Sequence, residues 1–205
     1  MMKSIAVTGT IGSGKSACSS YLREKGCEVF DCDAQCRSYL NKDGLLYEQV
    51  IQLLGAEILT ADGSVDRKKV AELIFQDTSL KSVYEKMFHE QLKEQLLERI
   101  KKNTGLFFAE VPILYETGFD ELFDEVWLVW CDEDTAISRC ITNRGMKKEE
   151  VLQRIRAQMS VEEKKQRADV LFENNGALSQ LHDKIDVVLK ELKQDGMLWK
   201  ESVSD

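Results

Sequence analysis

Hydrophobic positions along this chain fall into two kinds of pattern, and their order predicts the architecture. Short strand-like runs, mostly apolar, occur at Ser4–Thr8, Cys27–Phe30, Leu106–Glu110, Val126–Cys131 and Val170–Glu173. Runs of this length without alternation read as strands buried on both faces, the signature of a parallel sheet. Between them the period changes to that of helices. Lys15 to Lys25 reads as a helix stopped by Gly26, and from Ala34 to about Lys102 the pattern is almost wholly helical. Leu46, Val50, Leu53 and Leu54 recur at helical spacing, Ala61-Asp62-Gly63-Ser64 is a turn, and Asp66 stands where it can cap Arg67–Phe75. Ser79–Lys102 is a long amphipathic helix. Asp132 is placed to cap a further helix that runs to about Arg144, and Leu178–Leu192 closes the chain.

This order predicts an α/β fold: a parallel core whose sheet is interrupted by about 70 helical residues, far more than an ordinary connection. The expected core comprises residues 1–33, 104–140 and 168–205, with a helical substrate-binding subdomain at 34–103 and a lid at 141–167. The lid stretch is dense in charge and has few apolar residues with which to bury a face. It therefore reads as a mobile helical flap, with a capping box at Ser160–Glu163.

Composition narrows the function. The formal net charge of −8 argues against bulk nucleic-acid binding, because holding a phosphate backbone takes a surplus of Lys and Arg. Any anionic ligand must be held locally. Six cysteines form no CxxC pair and no Cys/His cluster, so reduced thiols in the cytoplasm are expected rather than disulfides or zinc. The apolar run Val126–Trp130 is far too short to span a bilayer, so no membrane association is expected.

The sharpest chemical signal is Gly9-Thr10-Ile11-Gly12-Ser13-Gly14-Lys15-Ser16, a G-x-x-x-x-G-K-[ST] loop lying between a strand and a helix. Glycines let the backbone wrap a phosphate chain with its N–H groups turned inward, and the following helix adds its positive end. In such a loop Lys15 reaches the β- and γ-phosphates and the Ser16 hydroxyl serves Mg²⁺. Asp31 and Asp33 are read at the end of the second strand, where a carboxylate can accept the proton of an attacking hydroxyl, hold Mg²⁺ through water, or simply cap the next helix. Glu110 ends the third strand, facing either a metal or solvent. His89, in the long helix, has the position of a surface or packing residue. The lid carries many cations, of which one or two are expected to neutralise a transferring phosphoryl group.

Taken together these residues resemble the dephospho-CoA kinase family. The resemblance rests on the loop, on Val29-Phe30-Asp31-Cys32-Asp33, Leu54–Leu59, Asp62–Arg67, His89, Val111–Glu116, Arg154–Gln158, Ala168-Asp169 and Asn174-Asn175-Gly176. It implies a P-loop kinase with a five-stranded parallel sheet flanked by helices, a helical insertion that binds CoA, and a lid. It also implies transfer of the ATP γ-phosphate to the ribose 3′-hydroxyl of dephospho-CoA, with Mg²⁺; the alternative is another small-molecule kinase on the same core, such as a nucleoside or nucleotide kinase. The resemblance makes Asp33 the general base. It places Gly12, Ser13, Gly14, Lys15, Ser16, Ala17 and Asn174 on the nucleotide, Arg67, His89 and Arg154 on the acceptor, and Arg139 with Lys15 in catalysis. Departures are Ala17 for a Thr, Arg37 for a His, Glu90 for a Pro, Glu110 for an Asp, and Asn143 for a lid Arg, with Arg144 one residue later.

Overall fold

A computed structural model describes residues 2–196; the C-terminal stretch from 197, which the sequence assigns to the core, lies outside the described residues. Five strands form one parallel sheet: β1 (Lys3–Thr8), β2 (Glu28–Asp31), β3 (Leu106–Glu110), β4 (Glu125–Trp130) and β5 (Val170–Glu173), in the order β2-β3-β1-β4-β5. β1 is central, so its apolar run is covered on both sides: Ile5, Ala6 and Val7 are completely buried. Register aligns Val7 and Asp31 with Glu110, which brings the carboxyl ends of β1, β2 and β3 level.

Helix α1 (Lys15–Glu24) and the last helix, α9 (Leu178–Gln194), pack on the sheet through Cys18, Leu22, Leu181, Ile185 and Leu189. Trp127, fully buried, sits edge-on between Phe108 and Phe172, each at 5.1 Å between ring centroids. Edge-to-face pairs of this kind each contribute about 1 kcal/mol beyond their area. The chain divides into two compact units. One joins the stretch up to Asp31 to the stretch from Arg99 onward, and the other is Cys32–Glu98.

The second unit has its own core, in which Tyr39, Leu46, Val50, Ile58, Val70 and Phe88 pack together. They come from α3 (Tyr47–Leu54), α4 (Arg67–Gln76), α5 (Thr78–Lys102) and the segments that join these helices to one another and to α2 (Cys32–Ser38), which contributes the partly buried Cys36. Asp66 caps α4 as expected, accepting from the backbone of Lys68 at 3.0 Å and of Lys69 at 3.3 Å. The helix after β2 begins at Cys32, two residues earlier than read from sequence. Asp33 is therefore an exposed residue in the first turn of α2 rather than the end of a strand.

In the first unit, α6 (Glu133–Arg144) begins at Asp132, whose side chain makes no cap bond; instead its N–H donates to Asn175 Oδ1 at 2.8 Å. The charged stretch that follows forms α7 (Lys148–Arg156) and α8 (Val161–Arg167), with the expected capping box of Ser160 and Glu163. It does bury a face. Val151 is completely buried with Ile11, Ile137 and Cys140, and Met146, Leu152 and Ile155 pack against them. A narrow stripe at i, i+4 suffices for a short helix, and Val151 with Ile155 supplies it.

Candidate active site

The phosphate loop leaves the end of β1 at the centre of the sheet's carboxyl edge and enters α1. Three of its glycines have the backbone angles that L side chains rarely adopt: φ is 155° at Gly9, 76° at Gly12 and 104° at Gly14. Each is also hemmed in. A Cβ on Gly9 would lie 2.1 Å from the Val129 carbonyl, one on Gly12 2.6 Å from the Ala136 carbonyl, and one on Gly14 2.2 Å from Asn174 Nδ2. Strand β4, helix α6 and the end of β5 thus crowd the loop from behind, and only glycine leaves room for them.

Asn174 is the residue that holds the loop there. It is buried and donates from Nδ2 to the Ser13 carbonyl at 2.8 Å, while its own N–H donates to the Trp130 carbonyl at 2.8 Å. Lys15 folds back over the loop, its Nζ donating to the carbonyls of Gly9 at 2.7 Å and Thr10 at 2.9 Å. An ammonium held above the loop in this way is positioned where a phosphate chain would replace those carbonyls as its partners. On the far side Ser16 donates from Oγ to Glu110 Oε1 at 2.9 Å. Glu110, at 7% exposure, is thus turned inward to the loop rather than outward to solvent. Its negative charge reaches Cys18, whose thiol is pushed well above the ordinary range first by burial and then by Glu110.

A hydroxyl and a carboxylate meeting below the loop are hard oxygen donors that fit Mg²⁺, which takes one or two protein ligands and leaves its remaining positions to phosphate and water. Among the described residues no group of three or more His, Cys, Asp or Glu could hold a metal.

A cavity of about 350 Å³ opens over the loop, lined by Gly12, Gly14, Lys15, Ser16, Ala17, Arg139, Asn143, Arg144, Asn174 and Leu178 among others. It gathers the loop residues singled out from sequence together with Arg139 and Asn174. Arg139 donates to the Gly176 carbonyl at a long 3.5 Å, and its Nη1 is buried without a hydrogen-bond partner. Arg154 is placed differently. It pairs with Glu150 at 3.0 Å along the outer face of α7 and lines none of the described cavities.

In the second unit, Arg67 lines a separate cavity of about 790 Å³ with Lys42, Thr60, Ser64 and Lys68, and donates to the Arg37 carbonyl at 3.0 Å. His89 is half-buried on α5. Two residues that the sequence reading gave no definite role make contacts around α7 and α8. Gln158 accepts from the Ile11 N–H of the loop at 3.2 Å. Glu116 Oε1 accepts from Met159 N–H at 2.8 Å and lies 3.1 Å from the ammonium of Lys164, a completely buried residue. That ammonium is paired by charge rather than by an aimed hydrogen bond. Both residues lie in stretches that carry the family likeness, which was the only signal for them in the sequence.

The chain is similar to several known proteins. A family model described as dephospho-CoA kinase matches residues 3–180. The dephospho-CoA kinase of Carboxydothermus hydrogenoformans is 33% identical over 201 residues, covering 96% of this chain and 95% of that protein. A crystal structure from Thermus thermophilus is similar at a TM-score of 0.80 and 35% identity, over 93% of this chain and 97% of that one. The dephospho-CoA kinase from Campylobacter jejuni, at 22% identity and a TM-score of 0.73 over 96% of this chain and all of its own (100%), shares the fold. With a glycine loop, its lysine and an inward-facing acid assembled on this sheet, and with the family model matching most of the chain, the protein belongs to the dephospho-CoA kinase family.

Proposed function

We propose that the protein transfers the γ-phosphoryl group of ATP to the ribose 3′-hydroxyl of dephospho-CoA. The observation that carries this reading is the meeting of Ser16 Oγ with Glu110 Oε1 beneath a loop whose lysine lies over it. Loop amides from Gly12 to Ala17 and the Lys15 ammonium bind and orient the triphosphate, and Asn174 borders the nucleoside side of the cavity. Ser16, with Glu110 beside it, would hold Mg²⁺. When bound, that ion supplies positive charge across the β- and γ-phosphate oxygens.

Asp33 orients the acceptor hydroxyl and takes its proton as the oxygen attacks. Arg67, His89 and Arg154 contact the acceptor, and Arg139 stabilises charge on the transferring group. The lid over residues 141–167 keeps water from competing as acceptor. Residues 34–103 form the acceptor-binding subdomain of this scheme, and the remaining segments form the nucleotide-binding core. All six cysteines stand as free thiols, which supports a reducing, cytoplasmic setting. Among the described residues no helix is long and apolar enough to cross a membrane.

The test is direct. Incubated with MgATP and dephospho-CoA, the protein is expected to yield CoA, heavier than the acceptor by one phosphate, as read by mass spectrometry. Turnover with nucleoside monophosphates but none with dephospho-CoA would transfer the reading to a nucleotide kinase on the same core.

A further inference from the structure

The Thr10–Ile11 peptide is gripped from both sides. Its carbonyl accepts from Lys15 Nζ at 2.9 Å and from Ser13 N–H at 3.3 Å, and its N–H donates to Gln158 Oε1 at 3.2 Å. A peptide group is planar, so its N–H and C=O point in opposite directions and turn together. Whatever holds the N–H therefore aims the carbonyl. Gln158 lies just past the end of α7, 147 residues away in sequence, and its own N–H donates to the Ile155 carbonyl at 3.1 Å.

Two further contacts give this grip a rigid base. The Ile11 side chain is buried in the cluster with Val151, Ile137 and Cys140. The next residue after Gln158, Met159, donates its N–H to Glu116 Oε1 at 2.8 Å, which ties the α7–α8 corner to the connection after β3. Ile11 is thus the one point in the loop where an apolar anchor and a side-chain hydrogen bond coincide. The hydrogen bond comes from the residue after α7, and the anchor joins Val151 of α7 to Ile137 and Cys140 of α6.

We infer that Gln158 is a positioning residue for the phosphate loop: through the Thr10–Ile11 peptide plane it fixes the carbonyl that holds the Lys15 ammonium in place over the loop. It touches neither the nucleotide nor the acceptor and acts through Lys15. With the Gln158 oxygen gone, the hold on the peptide's N–H is lost, the carbonyl that anchors Lys15 is less firmly aimed, and the ammonium spends less of its time where a phosphate chain meets it. The consequence is weaker nucleotide binding with little change in folding stability, because a single partly exposed hydrogen bond is lost while the Ile11 side chain stays packed. This rests on the reading of the loop as a nucleotide cradle, but not on the identity of the acceptor.

The experiment measures ATP affinity by calorimetric titration, without acceptor, in a double-mutant cycle between Gln158→Leu and Lys15→Ala. Gln158→Leu is expected to weaken ATP binding about tenfold, the scale of one hydrogen bond. In the Lys15→Ala background the same change is expected to have no further effect. Gln158→Glu, which keeps an accepting oxygen, is expected to restore most of the affinity, and amide hydrogen exchange at Ile11 is expected to rise in Gln158→Leu alone. Equal losses in both backgrounds, or Ile11 exchange unchanged by Gln158→Leu, would overturn the inference. If Gln158→Leu folds poorly, Gln158→Glu and the Ile11 exchange rate decide alone: affinity and protection kept in Gln158→Glu support it, and loss of both sinks it. A protein that binds ATP as described but leaves dephospho-CoA untouched would fail the proposed function and leave this inference standing.

Discussion

At the scale of single residues, the chemistry asks for one carboxylate that takes a proton and one ammonium that holds phosphate. Asp33 is exposed in the first turn of α2. Asp33→Asn keeps shape and polarity but removes the basic oxygen. It is expected to leave ATP affinity nearly intact and to lower turnover by about 10²–10⁴-fold. Steady-state kinetics with dephospho-CoA checks this, and near-normal turnover would remove Asp33 from the base role. The family resemblance alone singles out Asp33 as the expected base, and the local pattern did not give its secondary structure. A strand end and a helix start differ by one or two residues, and local pattern does not resolve such a boundary. Glu110 illustrates the opposite case: sequence left it facing either a metal or solvent, and register with Val7 and Asp31 turned it inward to Ser16.

At the scale of elements, the loop depends on backbone shapes that only glycine supplies without strain. Gly14 combines a φ of 104° with Asn174 Nδ2 at 2.2 Å from a would-be Cβ, and that amide is fixed by its bond to Ser13. Gly14→Ala is therefore expected to displace Asn174 and to distort the loop, abolishing the rise in melting temperature that is expected with ATP in the native protein. Gly145→Ala is the useful contrast. Gly145 is also left-handed, at φ 62°, but nothing lies within 4 Å of its Cβ position. That change is expected to cost about 1 kcal/mol as a helix-end glycine and to preserve the ATP-induced rise. Thermal denaturation with and without ATP separates the two. Helices α7 and α8 show where pattern reading falls short at this scale. Their charge density suggested no buried face, yet Val151, Ile155 and the Ile11 side chain of the loop close a small core between them. A stripe this narrow is visible only once its partner is known.

For the molecule's stability, the long-range tie through Glu116 carries the clearest expectation. Lys164 is completely buried and its ammonium lies 3.1 Å from Glu116 Oε1. Burial pushes the Glu116 carboxyl up, but the N–H groups of Met159 and of Glu116 itself, with the Lys164 charge, outweigh it and leave the carboxyl below its ordinary value of 4.5. A lowered folded value means stability that is fully present above the ordinary range and is lost as pH falls through the folded value. Glu116→Gln, which strands a buried ammonium, is expected to destabilise the fold by on the order of 3 kcal/mol at neutral pH. The gap between variant and native protein is expected to begin shrinking as the pH falls below 4.5 and to close once the pH passes the lower folded value, where the native carboxyl is itself protonated. Denaturant melts across pH check both; a gap constant from pH 7 to 3 would mean that the pair contributes nothing as a charge.

Local order along the chain was enough to set out the parallel strands, the helical insertion and the glycine loop. Each of these follows from neighbours a few positions apart: apolar runs long enough to cross a buried sheet, helical periods, and residues that permit one turn and few others. The meeting of Ser16 with Glu110, 94 residues on, of Ser13 with Asn174, 161 residues on, and of Ile11 with Gln158, 147 residues on, has no such local cause. Those contacts exist because strand order and register bring the ends of β1, β3 and β5 to one edge, and because α7 packs its stripe on the loop. Periodicity carries no information about which distant partner completes a hydrogen bond, and the packed fold decides it.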